Sequence, residues 1–149
     1  MLPQRVYALI GDVATTAAFS RLHAAVYRVL RGHLVDRALG CDIVLLETRG
    51  RTSGRPHEVP LFAFHDGPRL VVIASRGGND RPPAWYLNLR SHPDATVRSG
   101  GTTRPVRARV ATGAERARLW RVAATSYPGY ETYRARTARE IPVVVLEDA

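Results

Sequence analysis

Between Thr16 and about Leu39 the apolar residues Phe19, Leu22, Val26, Val29, Leu30 and Leu34 recur at helical spacing, with Arg21, Arg28, Arg31 and Arg37 interspersed. This pattern predicts an amphipathic helix, stopped at Gly40. Beyond it the period shortens. The segment DIVLLETR (42–49) is an apolar run rich in β-branched residues, HEVPLFAF (57–64) is a second strand whose prolines favour a sheet edge or a strand start, and LVVIAS (70–75) is a third. The intervening HDGPR (65–69) is a turn, so the second and third strands form a hairpin about Asp66-Gly67.

RGGNDRPP (76–83) reads as a loop, and AWYLNLRSH (84–92) as a short helix starting just after the paired prolines. ATVRSG, a Gly100-Gly101 turn and TTRPVRARV (102–110) predict another hairpin, its alternating arginines marking the wet face. Thr112 and Glu115 have capping-box spacing ahead of a helix through RARLWRVAATSY (116–127). PGYETYRARTAR continues as a second helical piece, and IPVVVLE (141–147) closes the chain as a strand. Five or six short strands, mostly hairpin-connected and flanked by helices, describe an α+β domain built on a small, mostly antiparallel barrel. A doubly wound parallel sheet is disfavoured, because alternating βα units are absent and no GxGxxG follows a strand. The expected organisation is a single domain: residues 1–40 an amphipathic helix packing on or leading into the barrel, and residues 41–149 the barrel itself.

Composition narrows the function classes. The 149 residues are 45% hydrophobic and 23% charged, the balance of a folded chain. Cys41 is the sole cysteine and has no histidine near it at ligand spacing, so neither a disulfide nor a metal site is expected. The N-terminus lacks the pattern of a signal peptide, and no 18-residue window is uncharged and apolar, which points to a cytoplasmic protein. Net charge is +9, and all 22 basic residues are arginine. Absence of lysine fits GC-rich codon usage; the charge itself permits nucleic acid, acidic lipid or a polyanionic small molecule.

Two loops concentrate the candidate chemistry. In the first, Gly50-Arg51-Thr52-Ser53-Gly54-Arg55-Pro56, glycines allow backbone N–H groups to converge while hydroxyls and guanidinium groups add donors. It is not a P-loop, which needs a lysine. The second, running from Ser75 through Arg76, Gly77 and Gly78 to Arg81, repeats that chemistry at the end of an adjacent strand. The two would meet at one end of the barrel, where ligands commonly sit. Tyr127, Tyr130 and Tyr133 would line one wall of a pocket, or serve as packing residues with wet hydroxyls. Trp120, beside Leu119 and Ala123 on an apolar helix face, is expected in the core. His23, His33, His65 and His92 are expected at the surface or in packing.

LLETRGRTSGRPHEVPL, VVIASRGGNDRPPAWYLNL, YPGYETY and REIPVVVLE, in this order and spacing, resemble the deazaflavin-dependent nitroreductase and quinone reductase family, split-β-barrel oxidoreductases that use reduced coenzyme F420. The similarity runs from about residue 44 to 147. It implies that Arg51, Thr52, Ser53, Gly54, Arg55, Pro56 and His57 hold the phosphate and glutamate tail. Pro60 and Leu61 would pass beside the deazaflavin ring, with Ser75, Arg76, Gly77, Gly78, Trp85, Asn88 and Leu89 around the rest. Ser75 and the three tyrosines, with Phe62, would form the acceptor pocket and deliver the proton. Members commonly carry a basic residue at Thr52, an arginine at His57 and, in some, a tyrosine at Phe62, so tail preference and pocket polarity are expected to differ here. The implied reaction is hydride transfer from reduced deazaflavin to a quinone, an enone or a nitroaromatic.

Two rivals remain at this point: an FMN-binding split barrel, and a basic nucleic-acid-binding barrel. The second is disfavoured because the aromatic residues cluster away from the alternating arginines of 98–109. A peripheral membrane contact through the first helix would be compatible with the enzyme, although core packing is the expected use of its apolar face. The sequence leaves monomer and homodimer open.

Overall fold

The structure is a computed structural model, and it describes residues 2–14, 37, 38 and 41–149. Its framework is seven antiparallel strands: β1 (Arg37–Ala38), β2 (Cys41–Arg49), β3 (Pro56–Asp66), β4 (Arg69–Ile73), β5 (Asp94–Ser99), β6 (Thr102–Val110) and β7 (Val143–Asp148). They are ordered β1-β2-β3-β4-β7-β6-β5, and β5 pairs back onto β2, so the last six close into a barrel. Among the described residues four helices flank it: α1 (Gln4–Ala14), α2 (Ala84–Ser91), α3 (Gly113–Ser126) and α4 (Gly129–Ala135). The α+β barrel expected from the sequence is therefore the one observed.

Local chemistry accounts for most boundaries. Asp66-Gly67 turns β3 into β4 with Gly67 at φ +62°, and Gly100 and Gly101 turn β5 into β6 at φ +54° and +77°. Pro83 stands at the N-cap of α2 and Pro128 at that of α4. Strand β7 is buried on both faces, and its alternation divides the core. Val144 and Leu146 join Val44, Leu46, Val72, Val97, Val106 and the α2 residues Trp85 and Leu89 in one cluster. Val143 and Val145 join Phe64, Val71, Ile73, Leu119, Trp120 and the three tyrosines in the other, beneath α3 and α4. Trp120 is thus a core residue, its indole N–H donating to Glu131 Oε1 at 2.7 Å.

Three expectations need correction or limits. Arg37 and Ala38 are not helical; they pair with Asp42 and Cys41 as the first rung of the sheet, because a strand partner for the start of β2 satisfies backbone groups that a helix end would leave open. The rest of the helix predicted between Thr16 and Leu39 lies outside the described residues, as does the membrane contact proposed for it. Thr112 is the N-cap of α3 but its hydroxyl caps nothing, and Glu115 does not reach back to it. Arg109 takes that carboxylate instead, in a fork of 2.6 and 3.0 Å. Bidentate charge-assisted pairing outcompetes a single capping bond. Among the described residues no helix is long and apolar enough to cross a membrane.

The barrel flank carries an ion network. Arg118 holds both oxygens of Asp66 at 2.8 and 3.2 Å, Arg69 reaches the same carboxylate at 2.5 Å, and Arg109 also donates to Glu147 at 3.0 Å. Hydrogen bonds from Arg118 hold the Asp66 carboxyl below its ordinary value, and those from Arg109 do the same for Glu115. A carboxyl depressed in the folded state stabilises fully above its unfolded pKa and loses that contribution as pH falls through the folded one. Thermal stability should accordingly fall steeply once pH drops below about 4, and Asp66→Asn should flatten that acid limb while lowering stability at neutral pH. An acid limb of the same slope in the variant would contradict the assignment.

Candidate functional site

Strand β4 has five residues and pairs only with the last four of β3, Ala63 to Asp66. The preceding half of β3 pairs with β2 on one side and, among the described residues, has no ladder partner on the other. A cavity of about 1150 Å³ opens there. His57, Glu58, Val59, Pro60, Leu61 and Phe62 all line it. Successive strand residues point to opposite faces, so six in a row can border one space only if that space lies along the strand's edge. Pro60, which has no N–H to leave unpaired, suits such an edge.

Both arginine loops reach this cavity. In the first, Gly50 N–H donates to Arg55 O at 2.8 Å and Gly54 N–H to Gly50 O at 2.9 Å, making a tight bend with Gly54 at φ +69°. A Cβ on Gly50 would stand 2.5 Å from Ser53 Oγ and 2.9 Å from His57 Nε2, so only glycine lets those side chains close over it. Asn88, 3% exposed on α2, accepts from the Arg51 backbone N–H at 3.2 Å and from its Nη1 at 3.0 Å, and donates to Thr48 Oγ1 at 3.1 Å. The guanidinium of Arg51 is thereby aimed along the cavity wall. Arg51, Thr52, Ser53 and His57 line the cavity; Gly54 and Pro56 border a separate cleft of about 290 Å³ behind the bend, and Arg55 lines neither.

The second loop leaves β4 through Ser75 and a turn of 3-10 helix, Arg76–Gly78. Arg76, Gly77 and Gly78 lie at φ +45°, +61° and +81° in succession. A left-handed conformation at the non-glycine Arg76 costs about 1–2 kcal/mol. Gly78 has a second reason to be glycine, since a Cβ there would meet Tyr133 O of α4 at 2.5 Å. Arg139, in the segment between α4 and β7, braces the loop from beneath by donating to Asn79 O at 2.8 Å, Ser75 O at 2.9 Å and Ala74 O at 3.2 Å. Ser75, Arg76, Gly77 and Arg81 line the cavity, whereas Gly78 faces α4. Trp85 and Asn88 line it as well, while Leu89 is a barrel-core residue.

The opposite wall is aromatic. Tyr127, Tyr130 and Tyr133 all line the cavity, each no more than 4% exposed, together with Phe62, Ile43 and Ile73. Phe62 stacks edge-on against Tyr127 at 5.1 Å between centroids. Tyr133 donates to Tyr7 O of α1 at 3.1 Å, so in the 2.9 Å contact between the two phenols Tyr127 is the donor. Burial raises the phenol pKa of all three, and the bond to Tyr133 adds to the rise at Tyr127. They are neutral groups at any physiological pH, and two of them spend their protons inside the wall.

Charge is distributed unevenly around this site. On the barrel flank Arg69, Arg98, Arg104, Arg107, Arg109 and Arg118 are all paired with carboxylates. Among the described residues no carboxylate pairs with Arg51, Arg55, Arg76 or Arg81. Arg51, Arg76 and Arg81 thus bring uncompensated positive charge to the cavity rim, although Arg5, Arg49, Arg90, Arg121 and Arg139 likewise have no carboxylate partner among the described residues. No group of three or more potential metal ligands occurs among the described residues.

Sequence reasoning missed α1, Thr48 and Arg139. Helix α1 was signalled by Pro3, Val6, Tyr7 and Ile10 at helical spacing; Ile10 lines the cavity and Tyr7 packs edge-on against Tyr127 at 5.2 Å. Thr48, which lines the cavity, and Arg139 are tied to the site by long-range hydrogen bonds, for which periodicity offers no sign.

Comparison with known proteins agrees with this geometry. The family model "F420H(2)-dependent quinone reductase" matches residues 19–148. An F420H(2)-dependent quinone reductase of Mycobacterium tuberculosis strain H37Rv is 37% identical over 133 residues, covering 85% of this chain and 87% of the relative. A solved F420-H2 dependent reductase, FDR-A, is 37% identical with a TM-score of 0.66, over 70% of this chain and 93% of that one. Another solved chain, a domain-swapped dimer, is 34% identical with a TM-score of 0.70, over 85% of this chain and 96% of that one.

The tyrosine relay is testable by itself. Tyr133→Phe leaves the Tyr127 hydroxyl without its acceptor and removes the tie to the Tyr7 carbonyl, which keeps its own helical hydrogen bond, so it should lower unfolding free energy by about 1–3 kcal/mol in denaturant titration and speed amide exchange across α1. Unchanged exchange in α1 would show that the helix is held otherwise.

Proposed function

The chain belongs to the F420H(2)-dependent quinone reductase family, and from that premise we propose that this cavity is where it works as a hydride-transfer oxidoreductase. When bound, the reduced deazaflavin F420H2 supplies the hydride, and the acceptor is a small conjugated molecule such as a quinone, an enone or a nitroaromatic. The observation that carries the residue assignment is the set of guanidinium groups left without carboxylates at the rim of the large cavity. A cofactor with a phosphate and an oligoglutamate tail is a polyanion, and it complements that rim as a neutral ligand would not.

The roles follow from position. Arg51, held by Asn88, and Ser53 would take the phosphate; Arg76 and Arg81, across the mouth, would take tail carboxylates. Arg55 would act at longer range, and His57 would contribute through Ser53, to which its Nε2 stands at 3.4 Å. The edge of β3 from Pro60 to Phe62 would run beside the ring, with Trp85 closing one end. Phe62, Tyr127, Tyr130 and Ile73 would shape an apolar acceptor site that excludes water, so alignment is the main catalytic contribution. Tyr127 and Tyr133 are poor proton sources, because their O–H groups are engaged and their acidity is suppressed by burial. Ser75, which lines the cavity, or water entering from the mouth would then serve the product oxygen. A homodimer has a precedent in the domain-swapped relative; the described residues favour neither assembly.

Titration of the purified protein with reduced and oxidised F420 against FMN tests the reading. Reduced F420 should bind and FMN should bind more weakly. Arg51→Ala and Arg76→Ala should each weaken F420 by about tenfold or more, matching about 1.4 kcal/mol per contact, whereas Arg55→Ala should have a smaller effect. Tighter binding of FMN, or unchanged affinity in both rim variants, would retire the assignment.

A further inference from the structure

We propose that Arg139 is a positioning residue that sets the shape of the second anion-binding loop, Ser75 to Asn79, without touching the ligand itself. The inference rests on the cofactor reading above and extends it to a residue outside the cavity lining.

Three observations carry it. The loop's backbone is unfavourable alone: three successive residues, one of them not glycine, hold left-handed conformations, and only Gly78 N–H to Ser75 O at 2.9 Å and Asn79 N–H to Arg76 O at 3.1 Å span it internally. The Arg139 guanidinium then donates to carbonyls on both sides of that bend, Ala74 and Ser75 before it and Asn79 after it. A planar fork can bridge carbonyls in fixed directions, which a single ammonium cannot. Third, Arg139 has no carboxylate partner among the described residues, and its buried Nη1 has no hydrogen-bond partner. An unpaired buried donor is unfavourable, so a neutral side chain would be preferred here if filling space were the only task. Burial lowers its pKa and the nearby Asp80 carboxylate opposes that shift, yet arginine stays charged, and that charge lies directly beneath a loop proposed to meet carboxylates.

The segment bearing Arg139 is itself fastened to the loop. Thr137 Oγ1 donates to Asp80 Oδ1 at 2.7 Å, and Ala74 N–H to Pro142 O at 3.0 Å. These contacts fix the guanidinium in register, so a substitution at 139 changes the brace rather than the path of the chain.

The experiment compares Arg139→Gln and Arg139→Lys with wild type and with Arg121→Gln, which removes an equal charge from the exposed side of α3. Hydrogen exchange of the Gly78 and Asn79 amides is measured without ligand, and reduced F420 is titrated separately. Arg139→Gln should speed both amides and weaken F420 at least tenfold, with the acceptor KM within twofold of wild type. Arg139→Lys should recover part of the affinity but little of the protection, and Arg121→Gln should match wild type. If Arg139→Gln does not fold, the lysine variant carries the comparison by its faster exchange and weaker binding. Unchanged exchange, unchanged affinity, or an equal loss in Arg121→Gln would each overturn the proposal. Failure of the wild type to bind F420 would overturn the cofactor reading instead, and the exchange data would still decide whether Arg139 shapes the loop.

Discussion

The mismatch in length between β3 and β4 is the constraint on which the site depends. A barrel of six strands closed along every edge would fill its interior with side chains and leave no groove. Here β3 runs eleven residues against a β4 of five, so the first half of β3 has no ladder partner on that side among the described residues. The cavity is the consequence of that missing ladder. It is bounded above by the two loops that start where β2 and β4 end, and on the far side by Tyr127, Tyr130 and Tyr133, which also belong to the core cluster that joins α3 and α4 to the sheet.

Electrostatics then gives the cavity a direction. An excess of nine positive charges spread evenly would say little about function. The chain instead neutralises its flank, where Asp66, Glu115 and Glu147 are shared among Arg69, Arg109 and Arg118, and leaves the rim uncompensated. The flank network stabilises the barrel; the rim destabilises it slightly through self-repulsion and is relieved by an anion. At the aromatic wall the logic reverses. Phenols there are buried and neutral, two of them bonded to one another, which suits a flat apolar acceptor rather than a charged one.

Much of this was legible in the sequence because it is local. Asp66-Gly67 and Gly100-Gly101 determine hairpins by their own backbone preferences, and Pro83 and Pro128 start helices for the same reason. The convergence of the two arginine loops was expected from adjacent strands; the strands they leave, β2 and β4, instead flank β3 and run parallel to one another, which still brings their ends to one side of the barrel. What was not legible depends on distant partners. Pairing of β5 with β2 closes the barrel across some fifty residues, and no periodicity announces it. Glu115 abandoned a capping box for Arg109 on a neighbouring strand. Gly54, Pro56 and Leu89 sit in segments that line the cavity, yet their own positions face a back cleft or the core. Arg139 and Thr48 work through contacts 60 and 40 residues away.

A structure of the chain with F420 bound tests the central claim most directly. The account predicts the deazaflavin ring along the uncovered edge of β3 near Pro60 and Leu61, the phosphate within hydrogen-bonding distance of Arg51 and Ser53, and tail carboxylates beside Arg76 or Arg81. A cofactor seated elsewhere, or a tail directed to the back cleft lined by Arg49 and Asp94, would contradict it.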